Sequence, residues 1–134
     1  MKVFLGGTCS GWRWRDDLQL LLRCDYYNPI VKNWCEEDRL REVHERETAD
    51  YVLYGITNGI KGVYSIAEVV DDSNKRPDRT IFLNLYKDGD PKMRRSLTAV
   101  ENLLKSNGVK VFNSIKAVAR YLNSKAQMDG DGNG

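Results

Sequence analysis

Apolar positions along this chain follow two alternating rhythms. Lys2–Gly7 (KVFLGG), Tyr51–Ile56 (YVLYGI) and residues 80–86 (TIFLNLY) are short, nearly continuous apolar runs rich in β-branched and aromatic side chains. That is the pattern of strands covered on both faces. Between and after them the apolar residues fall three and four apart: Leu18, Leu21 and Leu22; Leu40 and Val43; Ile66, Val69 and Val70; Leu97, Val100, Leu103 and Leu104; Ile115, Val118, Ala119 and Leu122. Such spacing lines one face of a helix. It predicts a first helix over 12–23, a second over Glu36–Thr48 with Leu40 and Val43 turned inward, and three more around the later sets. Asn107 and Gly108 close the fourth. Two weaker runs complete the series. Residues 25–31 (DYYNPIV) contain Asn28 and Pro29, which cannot serve a central ladder, so that strand belongs at an edge. Residues 109–112 form a short fifth strand.

Strand and helix thus alternate five times, which implies an α/β class. The expected architecture is a single three-layer, Rossmann-like (flavodoxin-like) domain with a five-stranded parallel sheet in the order 2-1-3-4-5. The domain spans 1–126, and 127–134 (QMDGDGNG) has nothing to bury and is expected to be a disordered tail. In this strand order the topological switch point lies between the first and third strands. It brings GGTCSG (6–11) and NGIKGVYS (58–65) to one crevice. Glu68, one and a half turns into the third helix, projects over it, and Ala67 lets that helix approach the sheet. Asp71 and Asp72 are expected to end the helix, and Arg46 to pair with Glu42 on a solvated face.

Composition narrows the function classes. The 134 residues suffice for one core. Lys and Arg total 21 against 19 Asp and Glu, a net of +2, so no bulk charge argues for a nucleic acid polymer or an anionic membrane. No apolar run has the length of a membrane span, and the expected location is cytoplasmic. Cys9, Cys24 and Cys35 show no CxxC pairing, so reduced thiols are expected. The tail lacks the closing glutamate of a calcium loop, and neither a metal nor an organic cofactor is called for. His44, the only histidine, reads as a surface residue on the second helix. A small-molecule ligand is the expected partner, with a homo-oligomer left open.

A carboxylate beside loops rich in glycine and hydroxyls suits chemistry at an anomeric carbon, because glycosidic cleavage passes through an oxocarbenium-like transition state. An ordinary surface glutamate is the competing reading for Glu68. Trp12 and Trp14 offer faces on which a base could stack, one of them being needed to pack on the sheet. Asn28 can hydrogen-bond a ligand at the crevice edge, although Asn-Pro is first a turn signal.

Taken together, MKVFLGGTCSGWRWRDDL, YYNPIVKNW, ETADYVLYGIT and GVYSIAEVVDDS, in this order and spacing, resemble the nucleoside 2-deoxyribosyltransferase-like family. The resemblance covers the chain apart from its tail. It implies the fold just described and an N-glycosidic reaction on a nucleoside or nucleotide; the fold is also similar to nucleotide-cleaving TIR domains. Carried onto matching positions, Glu68 is the nucleophile at C1′, Ser65 meets the sugar 5′ end or a 5′-phosphate, and Gly6, Gly7, Thr8 and Cys9 shape the crevice wall. Family transferases carry an aspartate six residues before the nucleophile, where Gly62 stands here, and a second aspartate with no clear counterpart. Asp50 is at the wrong end of its strand to replace it. Asp16 is the expected substitute for protonating the departing base. A catalytically silent nucleotide sensor and a TIR-like NAD-cleaving domain remain the alternatives.

Overall fold

A computed structural model describes residues 1–31 and 33–133. The elements run β1 (Lys2–Gly7), α1 (Trp14–Gln19), β2 (Asp25–Tyr27), α2 (Glu36–Thr48), β3 (Tyr51–Ile56), α3 (Tyr64–Lys75), β4 (Thr80–Asn84), α4 (Pro91–Ser106), β5 (Lys110–Phe112) and α5 (Ile115–Asn133). All strand pairs are parallel, in the order β2-β1-β3-β4-β5. The expected fold class and strand order are therefore the observed ones.

Alternation along each strand divides the core into two layers. Val3, Leu5, Leu53, Ile81 and Leu83 face α1 and α5, where they meet Trp14, Leu18, Val118 and Leu122. Phe4, Val52, Tyr54, Ile56 and Phe82 point to the other side, against Val69, Leu97 and Leu104. Both faces of β1, β3 and β4 are thus dry, which is why those strands lack polar alternation. Each fully buried Leu or Phe contributes about 1.5–3 kcal/mol of apolar transfer.

Several boundaries differ from the expectation. The first helix stops at Gln19 instead of continuing to 23. Asn123 of α5 explains the stop: its amide donates to Leu21 O and its Oδ1 accepts from Arg23 N, both at 2.8 Å, taking the backbone groups that another helical turn would have paired. β2 ends at Tyr27, where Asn28 Oδ1 accepts from Ile30 N. β4 ends at Asn84, whose Oδ1 accepts from Tyr86 N. Helix α2 has the predicted ends, yet Leu40 and Val43 are exposed and none of its side chains is buried. Ala67 also faces outward, while Asp72 and Ser73 are the buried polar residues of α3. The backbone of α5 is helical to Asn133, which takes in 127–133 of the segment expected as a tail; Gly134 lies outside the described residues. Propagation adds one backbone bond per residue once a helix is nucleated.

The switch point is closed by backbone contacts between the two loops. Thr8 N donates to Gly55 O at 2.8 Å, and Thr57 N donates to Thr8 Oγ1 at 3.2 Å. Gly7 sits at φ +114°, and a Cβ there would lie 2.0 Å from Gly55 O. Gly7→Ala is therefore expected to destabilise the protein by about 3 kcal/mol, combining a conformation closed to L side chains with a backbone clash. Urea unfolding measures this, and an unchanged midpoint would show that the loop yields freely.

Candidate functional site

A cleft of about 440 Å³ opens toward the carboxyl edge of the sheet, between α2, which lines it from Arg39 to Arg46, and the start of α3, and above the end of β1. Gly6, Gly7 and Cys9 form one wall, with Phe4 beneath. Ser65 and Glu68 enter from α3, and Glu42 and Arg46 from α2. Trp34 and Tyr64 stand at its rim, 56% and 74% exposed, with ring faces available to a ligand. The structure thus brings together Gly6, Gly7, Cys9, Ser65 and Glu68 of the predicted site residues.

The other four predicted residues are placed elsewhere. Thr8 is buried, and its hydroxyl is occupied by Thr57 N, so it ties the loops together; it borders an adjoining hollow of about 230 Å³ rather than the cleft. Trp14 is fully buried and donates its indole N–H to Thr8 O at 2.9 Å, leaving no face for a base. Asp16 pairs with Arg13 at 2.8 Å, and Asn28 closes its own turn. Asp16 and Asn28 share a third hollow with Trp12 on the far side of Cys9 and Arg15, away from Glu68. Trp12 is half exposed, with its indole N–H on Asp17.

Around Glu68 lies an ionic cluster that the sequence reading did not assemble. Asp72, fully buried, accepts from Arg46 Nε and Nη2, both at 3.1 Å, and from Tyr54 OH at 2.6 Å, and pairs with Arg76 Nε at 3.1 Å. Arg46 also reaches Asp71 at 3.2 Å, and its Nη1 lies 3.7 Å from Glu68 Oε2. Burial opposes the Arg46 charge, but the Asp72 hydrogen bonds and the charges of Asp72 and Glu68 outweigh it and hold the guanidinium ionised. Desolvation, with Asp72 as hydrogen-bond partner, keeps Tyr54 protonated. Asp72 is thus a structural hub and not a helix end. The signal available in the sequence was the i,i+4 pair Glu68 and Asp72, which share one face of α3, facing α2.

Two further charges shape the cleft. Arg15 is 3% exposed and donates to the carbonyls of Leu5, Thr8 and Gly7 at 2.9, 2.7 and 3.0 Å, bracing the end of β1. Glu68 has its carboxyl pushed above the ordinary carboxylate range by burial, against the pull of Arg46 and with help from the charges of Asp72 and Glu42. A carboxylate short of solvent, held only loosely by its cation and open to a cavity, can bond to or stabilise a developing positive centre.

No family model matches the chain, and no curated protein matches it.

Among the described residues, no group of three or more His, Cys, Asp or Glu is arranged to hold a metal ion, and no helix is long and apolar enough to cross a membrane. Cys9 and Cys35 are exposed, Cys24 is partly buried, and all three are free thiols. A larger hollow of about 680 Å³ lies between Arg23 and α5, where Arg120, Asn123 and Ser124 are among the described residues that line it.

Proposed function

We propose that this protein cleaves or transfers at the N-glycosidic bond of a (deoxy)nucleoside or nucleotide, with Glu68 as nucleophile. The observation that carries the reading is Glu68 itself: a half-buried carboxylate opening into the switch-point cleft beside Gly6, Gly7 and Ser65. The resemblance of its surrounding sequence to nucleoside 2-deoxyribosyltransferase-like proteins supports the same assignment. In this scheme Glu68 attacks C1′ as the base departs, and water or a second base releases the sugar. Tyr64 and Trp34 flank the base at the rim.

The hollow beside the cleft suits the 5′ end of the ligand. Ser10, Lys61 and Ser65 line it at the start of α3, whose first turn has no side-chain cap. A phosphate there would meet free backbone N–H groups and one cation. A 5′-monophosphate is therefore expected to bind more tightly than its nucleoside at low salt, with the advantage reduced severalfold, about the effect of one exposed charge, in Lys61→Ala. Equal affinities in isothermal titration would count against this placement.

Incubation with deoxynucleosides, deoxynucleotides and NAD, with and without an acceptor base, followed by chromatography of the products, tests the reaction itself. A glycosyl adduct on Glu68 trapped from a slow 2′-fluoro substrate and seen by mass would establish covalent catalysis. The Arg46 contact favours one second reading, in which Glu68 serves the ion-pair cluster of a nucleotide sensor. Binding without cleavage or exchange over long incubation would select it.

A further inference from the structure

The proposed reaction lacks an acid. A departing nucleobase carries away the electron pair of the glycosidic bond and needs a proton, and Asp16 lies in a different hollow from Glu68. Resting on the glycosidic reading of the cleft, we infer that Glu42 is the acid that hands the proton to the leaving base, across from Glu68.

The placement follows from the two helices. Both α2 and α3 begin at the carboxyl edge of the parallel sheet and run back from it on the same face, joined by Arg46 of α2, which lies among Glu68, Asp71 and Asp72. Glu42 precedes Arg46 by one turn, about 6 Å nearer the carboxyl edge. That brings it level with the top of α3, where Ser65 and Glu68 face the cavity it also lines. Its carboxyl makes no hydrogen bond or close ion pair among the described residues, so it is free to meet a ligand. The groups facing it are Asp38, Arg39 and Arg46 on its own helix, Arg15 from α1, Tyr27 from β2 and Glu68 from α3. Burial and the charge of Asp38 push the Glu42 carboxyl above the ordinary range, with Arg15 pulling the other way. A carboxyl whose hold on its proton is strengthened in this way is better suited to donate it than an ordinary one.

A Glu68 oxygen bonds to C1′ while the C1′–N bond breaks; the electron pair leaves with the base, and the base takes the Glu42 proton, leaving a carboxylate. In the second half that carboxylate takes a proton from the water or acceptor base attacking C1′, and Glu68 departs as a carboxylate.

The test compares leaving groups that do and do not need a proton. Substrates are the four deoxynucleosides with and without 5′-phosphate, and 7-methyl-2′-deoxyguanosine, whose cationic base leaves neutral without protonation. Glu42→Gln is expected to lower turnover on the ordinary substrates by about a hundredfold or more while staying within about threefold of wild type on the methylated one. The alkaline limb of the kcat/KM profile should vanish with it, and Glu42→Asp should retain part of the rate. Glu68→Gln should lose both substrate classes. Equal losses of Glu42→Gln on both classes, or no loss on either, would overturn the assignment while leaving Glu68 in place. A wild type that cleaves neither class would remove the glycosidic reading, and the Glu42 inference with it.

Discussion

Glu68→Gln is expected to abolish at least about 99% of turnover while leaving ligand binding largely intact, since it preserves size and some hydrogen bonding but removes the charge that meets C1′. The same variant should be at least as stable as the wild type at pH 8. Burial raises the proton affinity of Glu68 in the folded protein above its ordinary value of 4.5. The stability this residue contributes is therefore complete below 4.5 and is lost as pH rises through the raised value. Glutamine carries no such ionisation, so its melting temperature should equal or exceed that of wild type at pH 8, with the gap closing as pH falls toward 4.5. A large drop in melting temperature at pH 8 would mark Glu68 as a partner of Arg46 and remove the main support for catalysis.

Asp72→Ala is expected to have the largest effect on folding, a loss of about 3–5 kcal/mol. It would take the ion partner from Arg76 and the acceptor from the Tyr54 hydroxyl, and would leave Arg46 with only Asp71 and Glu68; all three converge on one fully buried carboxylate. Domains of this kind have net stabilities of about 5–15 kcal/mol, so the change takes a large share of the total. Urea unfolding followed by circular dichroism gives the number. A loss under about 1 kcal/mol would mean that water replaces the carboxylate at no great cost. Tyr54→Phe, which removes one neutral donor and leaves both arginines paired, should cost only about 1 kcal/mol. Asp72→Ala should also lower turnover in the fraction that folds, because Arg46 would be free to swing fully onto Glu68.

How far each feature was readable depended on the range of the interactions that decide it. β3 and α2 have the ends expected from their own residues: an apolar β-branched run in one case, a continuous charged helical stretch in the other. Asn107 and Gly108 likewise close α4 by local bonds, from Gly108 N to Lys105 O and Val109 N to Leu104 O. The first helix ends short of its local pattern because its stop is supplied by Asn123, one hundred residues from Arg23. Leu40 and Val43 are exposed despite their spacing because periodicity reports a shared face and not what covers it.

The parallel sheet, its strand order and the meeting of two glycine loops beneath Glu68 are all legible in the pattern of residues along the chain. Strand burial, crossover handedness and loop length leave a parallel α/β chain few other arrangements. Which charges stand together is instead an outcome of how the helices meet in the fold. Arg46 bypasses its i−4 neighbour Glu42 for three acids 22 to 26 residues away, Asp16 is separated from the cleft, and Glu42 is left open to it. The placement of α2 against α3 controls those choices, and the contacts that join the two helices are those of Arg46 with Glu68, Asp71 and Asp72, pairings between residues far apart in the chain that no local pattern in either helix encodes.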